Sequence, residues 1–101
     1  MLIEKIVEIR KQAIKELREK HNIAELAQSC FEDIINHVKE NPFARQHRFA
    51  FYDNDKDMQK YYQNNFDVAI QLLKLEFEKE GFFNVSIDYT ACGERLIYIE
   101  W

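Results

Sequence analysis

Phe83-Asn84-Val85-Ser86-Ile87-Asp88-Tyr89, the turn Thr90-Ala91-Cys92-Gly93, and Leu96-Ile97-Tyr98-Ile99-Glu100-Trp101 form the stretch that decides the fold. Phe83, Val85, Ile87 and Tyr89 alternate with Asn84, Ser86 and Asp88, the period of a strand with one buried face. Leu96, Tyr98 and Glu100 then alternate with Ile97, Ile99 and Trp101. Gly93 is available for the left-handed conformation that a tight connection needs. The reading is a C-terminal β-hairpin, whose apolar side requires a covering layer.

Upstream, residues 56 to 80 predict a helix that carries Met58, Tyr62, Phe66, Ala69, Ile70, Leu73 and Phe77 on one face. Asp53-Asn54-Asp55-Lys56-Asp57 leads into it as a turn with a capping aspartate, and Gly81 closes it. Before that turn, residues 43–52 alternate again. Phe43, Arg45, His47, Phe49 and Phe51 share one side, and Ala44, Gln46, Arg48, Ala50 and Tyr52 the other, so a strand is expected.

The first forty residues are helical in pattern. Residues 2–20 place Leu2, Ile3, Ile6, Val7, Ile9, Ala13, Ile14 and Leu17 in a stripe, and residues 23–39 do the same with Ile23, Leu26, Ala27, Cys30, Phe31, Ile34, Ile35 and Val38. Asn22 followed by Glu25 has capping-box spacing, and Asn41-Pro42 ends the second helix. The 3,4 spacing persists from residue 3 to residue 38, which would also suit one long coiled-coil helix. Arg10 and Lys20 at would-be core positions favour a hairpin that breaks at Lys20–Asn22. The expected fold class is α+β, in the order α-α-β-α-β-β, with a three-stranded antiparallel sheet packed on helices in a single domain spanning residues 1–101.

Composition narrows the function. The 101 residues are 47% hydrophobic and 14% aromatic with only two glycines and one proline, so the chain is expected to fold around a core of its own. The net charge of −4 is concentrated late: residues 51–101 hold ten acidic against five basic side chains. Counterion release by clustered cations drives nucleic-acid binding, and an acidic chain is poorly equipped for it. Two cysteines and no Cys-x-x-Cys pair suit a reducing compartment. Glu4 and Lys5 interrupt any secretory signal, and the longest apolar run, Leu96–Ile99, is too short for a membrane span. The expected setting is cytoplasmic, with no membrane partner.

Candidate chemistry fails residue by residue. Asp53, Asp55 and Asp57 imitate the opening of a calcium loop, but Met58 and Asn64 stand where glycine and a bidentate carboxylate are required. Cys30, Asp33 and His37 could share a helix edge without the fourth ligand that structural zinc needs. Cys92 lies in a turn among Asp88, Glu94 and Arg95, without a base to activate it. Glu76, Glu78 and Glu80 diverge around a helix and read as a solvated face. Two isolated glycines build no phosphate loop. Glu19 to Glu40 imitates a helix-turn-helix, yet Glu32 and Asp33 would open its recognition helix against phosphates. No enzyme, metal or cofactor is expected.

The strand from Phe43 to Tyr52 is the stretch suited to binding. Arg45, His47, Arg48, Phe49, Phe51 and Tyr52 mix cations with aromatic rings, a composition that anchors a protein partner or stacks bases.

The segment Phe77-Glu78-Lys79-Glu80-Gly81-Phe82 through Ile97-Tyr98-Ile99-Glu100-Trp101, in a chain rich in Ile, Lys, Asn and Glu, resembles small accessory proteins of bacteriophages from AT-rich hosts. That resemblance implies a protein that binds a host or virion protein, including inhibitors of host defence, acting in the host cytoplasm. It assigns no residue a role. The leading expectation is therefore a non-enzymatic protein-binding module, of the phage-inhibitor type, that occupies a surface of a larger protein. The alternatives are a single-stranded nucleic-acid binder using sheet aromatics and a homo-oligomeric assembly protein built through residues 1–40.

Overall fold

A computed structural model describes residues 1–90 and 92–101. The chain forms α1 (Leu2–Lys20), α2 (Ile23–Glu40), β1 (Gln46–Tyr52), a 3-10 turn (Lys56–Met58), α3 (Gln59–Tyr62), α4 (Phe66–Lys79), β2 (Asn84–Tyr89) and β3 (Glu94–Glu100). The three strands make one antiparallel sheet in the order β1-β3-β2, and the fold is α+β as expected. Ala91 of the expected hairpin turn lies outside the described residues.

Register follows from the alternation. Phe49 faces Ile97 and His47 faces Ile99 across β1 and β3, while Val85 and Ile87 face the same two isoleucines from β2. These residues turn one side of the sheet towards α2 and α4, where Ile97, Ile99, Leu73 and Phe77 are fully enclosed. On the opposite side, Arg48, Tyr52, Ser86, Asp88 and Tyr98 are exposed. Gly93 (φ 73°) and Gly81 (φ 85°) both take the left-handed conformation expected of them.

The hairpin breaks within the expected Lys20–Asn22, while the α2 cap, the helix over 56–80 and the start of β1 differ from expectation, each for a local reason. Residues 1–41 are a helical hairpin, and the break is made by Asn22 itself, which adopts φ 51°. Asparagine tolerates that region better than most residues. In that conformation Asn22 forms no side-chain cap, so the expected capping box is absent. Glu25 instead accepts a hydrogen bond from Tyr61 Oη at 2.9 Å. The helix expected over 56–80 is divided, because Gln63 and Asn64 both take positive φ. Asn65 then restarts the chain by accepting the Val68 N–H at its side chain. Finally, β1 starts at Gln46, and Phe43 stands almost entirely in solvent. Among the described residues, no helix is long and apolar enough to cross a membrane.

Two buried polar groups meet the first part of the divided helix. His21 is enclosed at the α1–α2 corner, where its Nδ1–H donates to the Tyr61 carbonyl at 2.8 Å. Beside it, Tyr62 is enclosed with its hydroxyl lacking any hydrogen-bond partner among the described residues. Burial, reinforced by Asp55 and Asp53, pushes that hydroxyl's ionisation well above the usual phenol range. Leaving such a group unpaired costs free energy that its removal recovers. Tyr62→Phe is expected to stabilise the fold by about 1 kcal/mol, read as a raised thermal midpoint. A lowered midpoint would show that the hydroxyl is satisfied in solution.

Candidate contact surface

The six residues of the expected binding strip do not share a surface. Alternation along β1 sends His47, Phe49 and Phe51 inward and Arg48 and Tyr52 outward. Phe51 is buried, and Phe49 stacks on Phe77 with ring centroids 5.6 Å apart. His47 packs between His37 and Phe49, its ring 4.7 Å from each. Arg45 precedes the strand, exposed, and its carbonyl accepts the Trp101 N–H at 2.9 Å. On the outer side Tyr52 is paired in register with Glu94, and Arg48 with Tyr98. Of the three Phe and Tyr rings, Phe49 and Phe51 therefore serve the core. What remains outside is Arg45, Arg48 and Tyr52.

The nucleophile and metal candidates are also located. Cys30 is buried in α2, where desolvation, aided by Asp33, raises its thiol to about 12, so it stays a neutral packing residue. Asp55 caps the 3-10 turn by accepting the Asp57 N–H at 3.1 Å. Among the described residues no three His, Cys, Asp or Glu side chains lie close enough together to hold a metal ion.

A different surface emerges on α1. The apolar stripe runs the length of α1, yet of the described residues in it only Ile14 and Leu17 pack against the core cluster, as partly buried residues. Leu2, Ile3, Ile6, Val7 and Ile9 remain 71%, 62%, 49%, 45% and 65% exposed. The signal that could have revealed this is Arg10, a cation inside the stripe where a core helix would carry an aliphatic. The molecule measures 49 × 30 × 25 Å.

What fastens α1 is an ion pair that the sequence could not disclose. Arg18 grips Glu76 of α4 with two nitrogens, and Lys79 approaches the same carboxylate at 3.5 Å. Glu76 is thus nearly buried, which corrects its reading as part of a solvated face. Next to the pair runs an open groove of about 540 Å³ whose apolar floor includes Ile14, Leu72 and Leu75.

Two titrations follow from these contacts. Burial tends to raise the Glu76 pKa, but the Arg18 hydrogen bond together with Lys79 outweighs it, and the carboxyl titrates below its ordinary range. A depressed carboxylate contributes stability in full above the unfolded value of about 4.3, and that contribution is lost as pH falls through the lower folded value. Glu76→Gln should lower stability at pH 7 by about 2 kcal/mol and flatten the acid limb of stability against pH; an unchanged limb would contradict the pairing. His47 is shifted down by burial first and by His37 second, with Asp33 opposing. Its neutral form is the folded one, so stability falls as pH drops from about 6.5 towards the depressed folded value. In chemical denaturation at about pH 7.5 and pH 5.5, His47→Gln should lose less stability on acidification than the parent. An equal loss in both proteins would contradict the assignment.

No protein family model, curated protein or solved structure matches this chain.

Proposed function

We propose that the chain is a non-enzymatic protein-binding module that works by contact, and that its contact surface is the open apolar side of α1. The observation that carries this reading is the run of five exposed aliphatics, Leu2, Ile3, Ile6, Val7 and Ile9, on consecutive turns of one helix. A contiguous apolar patch of this kind is a site where water is readily displaced, and helix-in-groove docking uses such i, i+3, i+4 anchors.

Two features support contact over chemistry. The thiol of Cys30 is held neutral within the core. The open groove beside Arg18 is floored by the aliphatics Ile14, Leu72 and Leu75. The charge of the uncovered sheet side argues against nucleic acid: Arg48 stands against Asp88, Glu94 and Glu100 on that side. The resemblance of the sequence from Phe77 to Trp101 to small phage accessory proteins implies a biological setting, an inhibitor that occludes part of a larger protein.

The test compares two double variants in affinity capture from the native cell lysate. Ile3→Asp with Ile6→Asp should abolish capture, whereas Arg45→Glu with Arg48→Glu should preserve it, both with thermal midpoints within about 2 °C of the parent because the sites are exposed. Loss of capture only in the arginine variant would move the contact to the β1 side. Capture retained in both would end the reading.

A further inference from the structure

The charged residues in the first turns of α1, Glu4, Lys5 and Glu8, lie outside the arc that holds Leu2, Ile3, Ile6, Val7 and Ile9. The exposed arc is therefore uniformly aliphatic for two turns. At Ile14 and Leu17 the same side of the helix meets the core cluster of its own chain. The stripe is half used and half free.

We infer that the free half is covered by the same half of a second copy, in an antiparallel helix pair with two-fold symmetry. This rests on reading α1 as the contact surface. Sterics fix the direction. A partner helix running parallel would bring its own α2 and α4 against those of the first copy, at the end where α1 is already packed. An antiparallel overlap of the two free halves sends the bodies to opposite ends. Centred near Ile6, such an overlap sets Ile3 level with Ile9 of the second copy and Ile6 beside its own equivalent, so aliphatic meets aliphatic across the axis. Arg10 then falls at the end of the overlap, where its long stem covers apolar surface and its guanidinium reaches water.

Area fixes the strength. The five side chains expose on the order of 400 Å² per copy, and the pair with its flanking residues buries about 1,000 Å², the lower end for a specific interface. Association in the micromolar range follows, weak enough for the surface to exchange its own copy for another protein.

Sedimentation equilibrium of the full chain from about 2 to about 200 µM tests the pair, with a monomer–dimer midpoint expected at roughly 10 to 100 µM. Ile3→Asp with Ile6→Asp sets carboxylates across the symmetry axis, while acids in the first turns suit the helix dipole. That variant should remain monomeric throughout with its melt unchanged. In a Cys92→Ser background, Ile6→Cys should form an intermolecular disulfide faster than Lys11→Cys, since Cys30 is buried. A wild-type monomer at the highest concentration, a dimer that persists in the aspartate variant, or equal rates for the two cysteines would each overturn the inference. A wild-type monomer whose aspartate variant still loses lysate capture would remove the second copy and keep α1 as the contact surface. A monomer with unaltered capture would remove both.

Discussion

Phe77 holds the layers of this protein together. It has no exposed surface, and its ring meets Phe31 of α2 at 5.7 Å, Phe49 of β1 at 5.6 Å and Phe82 before β2 at 5.9 Å. Edge-to-face and offset contacts of this kind add to the area each ring buries. One side chain of α4 thus joins the second helix, the edge strand and the entry to the hairpin. These contacts close the core between α2, α4 and the sheet, and α1 adds Ile14 and Leu17 at its margin.

That closure determines how α1 is held. Its last turns lie on the outside of the helical layer, with Ile14 and Leu17 half-covered, and the fastening is polar, Arg18 to the sheltered carboxylate of Glu76. A helix is stiff over this length, so docking one end aims the other. The first dozen residues extend for roughly 18 Å at 1.5 Å per residue. A helical segment this short is marginal without packing. It persists here as the continuation of a docked helix, and anything that covered its apolar side would stabilise it further.

The parts legible in sequence were those written in local periodicity. The hairpin follows from two alternating runs and Gly93, and α2 from its stripe and the Asn41-Pro42 stop. The division at Gln63–Asn65 escaped because Tyr62, Phe66, Ala69 and Leu73 keep helical spacing across it. Periodicity reports which side is buried, and it is silent on one turn of left-handed backbone. The Arg18–Glu76 pair joins residues far apart in sequence, so no spacing announces it. The strip residues within β1 divide between its two sides, as their alternation in sequence already placed them. Cations and rings on successive positions of a strand point to opposite sides, and Phe49 and Phe51 were the rings that the core required.

The two uncovered regions of the molecule differ in what contact with another molecule would cost. On the outer side of the sheet, Arg48 and Asp88 are exposed, Glu94 and Glu100 are half-buried, and Tyr52 lies opposite Glu94 in register. Covering them means replacing each water partner with a protein one. On α1 the exposed atoms are the methyl and methylene groups of Leu, Ile and Val, whose removal from water is favourable at roughly 25 cal/mol per Å² and requires no particular geometry. Among the described residues, Leu2, Ile3, Ile6, Val7 and Ile9 stay between 45% and 71% exposed. Of the two regions, the open side of α1 is therefore the one whose covering carries no polar desolvation cost.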